Sequence, residues 1–193
     1  MESKTIASVS VFAAFTVALN LSPVKIPAPY APFLIYQIWE IPIVAAFLLF
    51  GPSVGVAISI INTIVLLGVF PGVLPTGPLY NLAAVLSMLL GIYVVQNFAT
   101  GGFGRRQEAI LIASSTALGI VGRVGIMTIV NWAFLPYPPP LGFSMPPEAL
   151  AMLLPAIGVF NATLALYTIP LGYLIAKAVS SGARIAGWYT QKL

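Results

Sequence analysis

Residues 117–136 read ALGIVGRVGIMTIVNWAFLP, an apolar run long enough to cross a bilayer with a guanidinium, Arg123, in its interior. An arginine near the centre of a spanning helix costs ~2.5–3.5 kcal/mol on insertion scales, so a buried partner, pathway or ligand is expected beside it. The chain as a whole is 60% hydrophobic and 6% charged, more apolar surface than a soluble core of this length can hide. The expected fold class is an all-α integral membrane protein, multi-pass in the cell membrane.

Six segments have the length and composition of spans: roughly 5–21, 33–50, 53–70, 79–97, 108–134 and 149–177, within a single membrane domain covering 1–193. The punctuation between them is rich in Pro and Gly. SPVKIPAPYAP (22–32), the Gly51-Pro52 turn, FPGVLPTGP (70–78), ATGGFGRRQE (99–108) and PYPPPLGFSMPP (136–147) separate the runs. The last two runs exceed the bilayer thickness, and Pro42, Pro155 and Pro170 are expected kinks. No small-residue cleavage site follows the first run, so it reads as a retained span. With both termini cytoplasmic, Lys4, Arg105, Arg106, Lys177, Arg184 and Lys192 lie inside and Lys25 outside, which satisfies the positive-inside rule. The Pro-rich loops then face outward.

The net charge of +4 comes from scattered cations, with only Arg105 and Arg106 adjacent, so no nucleic-acid partner is expected and the membrane lipid is the surrounding medium. Cys and His are absent. That removes disulfides, thiolate chemistry and imidazole metal sites, and no metal or cofactor is expected. No P-loop occurs; GGFG (101–104) precedes Arg-Arg and reads as a flexible turn. With no Ser/His or Glu/His constellation and no paired Asp motif, the chain is not expected to be an enzyme.

Polar side chains within the spans gather toward the outer half. Gln37 and Glu40 fall one to two turns into the second segment, and Asn62 about two turns into the third. Asn81 opens the fourth, Asn131 nears the outer end of the fifth with Arg123 two turns deeper, and Asn161 is near the middle of the sixth. The inner half offers only small hydroxyls: Ser10, Ser59, Ser87, Ser114 and Ser115. This asymmetry fits an outward-opening pocket for a small polar molecule; it also fits interhelical hydrogen bonds and a mutual Glu40–Arg123 salt bridge. Tyr30, Tyr36, Trp39, Tyr80, Trp132 and Tyr137 sit at the same level, either as an interfacial belt or as stacking platforms for a planar ligand. On the first segment Ala7, Ser10, Ala14 and Ala18 share one helical face, where another helix can approach closely, in this bundle or in a partner. A stand-alone secondary transporter or channel using Glu40 and Arg123 as a relay is the competing class.

Four stretches carry a family resemblance: YAPFLIYQIWEIPIVAAFLLFGPSVGV (30–56), LPTGPLYNLAAVLSMLLGIYV (74–94), GRVGIMTIVNWAFLP (122–136) and VFNATLALYTIPLGYLI (159–175). Together they resemble the S component of energy-coupling-factor (ECF) vitamin transporters, in its riboflavin-specific branch. The resemblance implies a six-helix domain with an outward-facing vitamin pocket, in which Tyr36, Trp39, Glu40, Asn62, Asn81, Arg123, Asn131 and Asn161 are the candidate substrate-binding residues. Asn131 and Asn161 would bind the ligand's ring edge. It further implies that the Ser10, Ala14 and Ala18 face docks onto a transmembrane coupling subunit carrying paired ATPase subunits. Three charges of the family pattern are replaced: Leu164 and Ile61 stand where it has Lys, and Gln37 with Trp39-Glu40 where it has its acidic segment. A related vitamin or precursor is therefore the alternative to riboflavin.

Overall fold

A computed structural model describes residues 3–69, 74–98, 105–183 and 187–188. The GGFG stretch, loop residues 70–73 and the cations Arg184 and Lys192 lie outside the described residues, as do the side chains of Lys4 and Arg105. Six helices and one hairpin follow in the order α1 (Ser3–Leu21), β1 (Ile26–Ala28), β2 (Ala31–Tyr36), α2 (Glu40–Phe50), α3 (Pro52–Val69), α4 (Gly77–Phe98), α5 (Arg105–Phe134) and α6 (Pro147–Ala183). Among the described residues four helices are long and apolar enough to cross a membrane: α3, α4, α5 from Arg106, and α6 to Gly182. The apolar parts of α1 (Ile6–Leu21) and α2 are shorter.

The expectation of a purely helical second segment over 33–50 is corrected by the structure. Ala31–Tyr36 is a strand, paired antiparallel with β1 in the register Ile26↔Tyr36 and Pro27↔Ile35. Pro27, Pro29 and Pro32 bias their neighbours toward extended backbone, and the stretch that follows is rich in β-formers. The helix starts only at Glu40, so Gln37 lies in the connection rather than within a span. Pro42 sits in the first turn of α2, where a missing N–H leaves no intrahelical bond unmade, and the kink expected there is not required.

α2 is the centre of the bundle. Every residue from Glu40 to Leu49 is buried, as expected for a helix apolar on all sides, and it packs against α6, α3 and α1. At 11 residues it is about 16 Å long, roughly half the hydrocarbon thickness. It ends at Gly51, whose φ of 98° needs a residue without Cβ and whose N–H donates to the Phe47 carbonyl at 2.9 Å. Pro52 then opens α3 at the position that tolerates it best. Because the neighbouring helices run on past Glu40, space is left over the N-terminus of α2. The hairpin and the 135–146 connection enclose that space.

The loop from Leu135 to Pro146 is held by its own backbone: Phe143 and Met145 N–H both donate to the Leu135 carbonyl at 3.1 Å, and Ser144 N–H to that of Tyr137 at 2.9 Å. Thr76 and Tyr80 on the α4 side donate to the Pro140 and Leu141 carbonyls at 2.6 and 2.7 Å. The connection is therefore a shaped cap.

α4 and α5 meet at glycines. A Cβ on Gly91 would lie 2.7 Å from both the Gly119 nitrogen and the Leu118 carbonyl oxygen, whereas one on Gly125 would meet nothing within 4 Å. Such contact lets two helices approach closely in lipid, where packing rather than hydrophobic exclusion holds them. Gly91→Ala is expected to destabilise by about 1–3 kcal/mol through overpacking and to lower the unfolding midpoint in detergent. Gly125→Ala is expected to leave it unchanged.

Candidate functional site

The space over α2 is a cavity of about 740 Å³, within the range of small-molecule pockets. Its floor is charged. Glu40, first residue of α2, and Arg123, from the middle of α5, are each 2% exposed. The guanidinium grips the carboxylate with two nitrogens: Nη2 donates to Oε1 at 2.9 Å, and Nη1 to Oε2. Nε donates to Asn161 Oδ1 at 3.0 Å, and Nη1 also approaches Met88 Sδ at 3.8 Å. Of five guanidinium hydrogens, one on Nη2 has no acceptor among the described residues. Glu40 is also well placed at a helix N-terminus, where negative charge is stabilised.

The two asparagines differ. Asn161 is saturated on both sides, accepting from Arg123 and donating Nδ2 to the Ile157 carbonyl at 2.9 Å. Asn131 donates Nδ2 to the Met127 carbonyl at 2.6 Å, and no donor among the described residues reaches its Oδ1. Both line the chamber, together with Trp39, Glu40, Asn81 and Arg123. Tyr36 and Asn62 do not. Tyr36 shares a 2.5 Å hydrogen bond with the Tyr30 hydroxyl and packs its ring on Phe160 at 5.0 Å. Asn62 accepts from Asn20 at 3.4 Å and ties α3 to α1 behind the wall.

Much of the apolar lining carries no signal in the sequence. Phe33 comes from the strand, Phe143 and Met145 from the cap, and Phe160 and Leu164 from α6. Leu164 is buried in the wall, so the position where the resembled family pattern has Lys lies on the chamber itself. Ile61, by contrast, faces outward. Trp132 and Tyr137 also point away from the bundle at 55% exposure, the disposition of an interfacial belt.

At the opposite end of the bundle the expected absence of larger polar groups is corrected. Gln96 near the end of α4 is fully buried and donates Nε2 to the Tyr173 hydroxyl at 2.5 Å, which also meets Ser115 at 3.0 Å. Gln96 falls inside the fourth segment, 79–97, and the set of small inner hydroxyls omits it; its partner Tyr173 is carried by α6. Between this cluster and the chamber lie Ile43, Met88, Leu89, Ile92 and Ile169, all buried and packed together.

A solved structure described as the S component of a bacterial ECF transporter resembles this chain with a TM-score of 0.72, over 95% of this chain and 99% of that one, at 18% sequence identity. At that identity the likeness is one of fold. No family model matches the chain, and no curated protein sequence does.

Removing one partner of a buried ion pair costs about 3–5 kcal/mol, because the other charge is left uncompensated, whereas replacing both is far less costly. Glu40→Leu and Arg123→Leu are each expected to lower the thermal unfolding midpoint in detergent sharply. The Glu40→Leu/Arg123→Met double variant should lie nearer the parent than either.

Proposed function

We propose that this chain is the substrate-binding S component of an ECF-type, ATP-driven vitamin uptake transporter, and that its ligand is riboflavin. The observation that carries the reading is the chamber's charge state. Its only two charged side chains among the described residues, Glu40 and Arg123, neutralise each other in a bidentate pair. An ionised vitamin entering that chamber would meet no counter-charge and would be desolvated at a cost of several kcal/mol. A neutral, planar ring suits the apolar walls, with Trp39, Tyr80, Phe143 and Phe160 available for stacking. Asn131 Oδ1 would accept from a ring N–H, and the remaining Nη2 hydrogen of Arg123 would donate to a ring carbonyl.

The wide apolar layer between the chamber and the Gln96 cluster supports a binding subunit over a self-contained relay, since no polar route joins the two ends among the described residues. We assign the hairpin end to the outside on the cation bias of the sequence. Ala7, Ser10, Ala14 and Ala18 are all exposed, while Val9, Ala13, Thr16 and Asn20 form the face of α1 that packs inward. This supports a docking role for the small-residue face toward a coupling subunit with paired ATPases; packing within the bundle does not occupy it.

Purified protein titrated with riboflavin should quench flavin fluorescence, and Asn131→Leu should weaken binding by about tenfold, the value of one lost buried hydrogen bond. Absence of any quenching would exclude riboflavin as the ligand. Ala14→Leu separates the two roles. Binding should be retained, and uptake by cells holding the full complex should be lost.

A further inference from the structure

α2 begins without a side-chain cap. Trp39 stands at its N-cap position and makes no hydrogen bond to the first turn, so the helix start lacks the brace that a Ser or Asp would supply. It is held from outside instead, on both sides of Trp39. After Trp39, the Glu40 carboxylate is gripped by Arg123 of α5. Before it, the Tyr167 hydroxyl of α6 donates to the Gln37 carbonyl at 2.6 Å, where the chain has left β2 and not yet entered α2. A backbone carbonyl in such an irregular stretch near membrane depth needs a partner, and here a side chain provides it.

The hydrogen bond is part of a seam. Phe160, Leu164 and Tyr167 follow at spacings of four and three along one face of α6. Phe160 and Leu164 line the chamber, whereas Tyr167 stands outside that lining, half-buried. Tyr36, the last residue of β2, packs its ring on Phe160 at 5.0 Å and edge-on against Tyr167 at 6.5 Å between centroids. The end of the strand is thus keyed to α6 by two rings and one hydrogen bond. Trp39, buried and lining the chamber, lies between this seam and the ion pair.

We infer that Tyr167 is a positioning residue for the chamber: through the Gln37 backbone it sets the placement of Trp39, the ring on which a planar ligand stacks. The stacking role rests on the flavin reading above; the placement of Trp39 does not. Loss of the hydrogen bond lets the 37–39 turn take up a second arrangement, and apparent affinity falls with the fraction of molecules that leave the competent one. The net value of one hydrogen bond bounds that fall at about three- to tenfold.

The test uses the full chain in detergent carrying Trp132→Phe and Trp188→Phe, which leaves Trp39 as its one tryptophan. Without ligand, Tyr167→Phe should make Trp39 more accessible to acrylamide quenching, and in a riboflavin titration it should weaken binding by about three- to tenfold. Tyr173→Phe is the control: it removes a buried hydroxyl from α6 at the opposite end of the bundle and should change neither readout. On a Trp39→Leu background, Tyr167→Phe should cost riboflavin less than about a further twofold, because residues that act through one another are not additive. Acrylamide quenching of Trp39 left unchanged by Tyr167→Phe, or changed as much by Tyr173→Phe, overturns the positioning role, as does a fully additive loss on the Trp39→Leu background. A Trp39 response to Tyr167→Phe in a protein whose parent ignores riboflavin removes the flavin reading and leaves the positioning role standing.

Discussion

A guanidinium and a carboxylate that are both cut off from water must meet in one geometry, and here that requirement joins α5 to the first residue of α2 across the middle of the bundle. Every other feature of the chamber is arranged around that junction. Asn161 braces the guanidinium from α6, Met88 approaches it from α4, and the glycine contact of α4 with α5 brings those two helices close enough to do so. Four helices thus converge on one side chain. The pair is weak evidence for stability as such, since its formation must offset desolvation of two ions. Its consequence is positional: α2 cannot slide along the bundle axis without leaving Arg123 uncompensated.

That fixed position explains why there is a chamber at all. α2 is about half as long as a span, and it is buried on every side, so its shortness cannot be absorbed by tilting. The void over its N-terminus must be filled or roofed. The hairpin supplies one wall and the 135–146 cap another, the cap locked by backbone hydrogen bonds to Leu135 and Tyr137 and by the Thr76 and Tyr80 hydroxyls. Loops with satisfied backbone groups are what allows non-helical chain to lie near the depth of a membrane.

The parts that sequence makes legible are those governed by strong single-residue costs. Apolar run length places α3 to α6, proline density places the loops, and the expense of burying Arg123 points to Glu40 before any contact is known. What sequence hides follows from the same logic. The run from Phe33 to Phe50 is apolar throughout, and where both faces are buried neither the strand nor the helix period shows; the switch from strand to helix at residues 37–39 therefore leaves no mark. Phe33, Phe143 and Phe160 carry no cost that distinguishes a chamber wall from lipid. Gln96 goes unremarked because its partner Tyr173 lies on α6, far along the chain. Tyr36 and Asn62 are placed by depth along a segment, but depth does not specify azimuth, and each turns toward another element instead of the chamber.

The polarity of the site follows the availability of water. At the floor, where hydration is gone, the structure tolerates charge only as a closed pair, and even the neighbouring Asn161 is used up in bracing it. Higher up, amides take over: Asn131 keeps an unengaged oxygen, and Gln37 and Asn81 are partly or fully exposed. Lys25 stands at the exposed rim. A molecule matched to such a gradient has an apolar or neutral end and a hydrophilic end, and it enters with the hydrophilic end last. The same gradient gives a reason for leucine at position 164: a second cation there would share the chamber wall with Arg123 while Glu40 is already committed, and like charges at low dielectric repel far more strongly than in water. An apolar side chain there keeps the floor neutral.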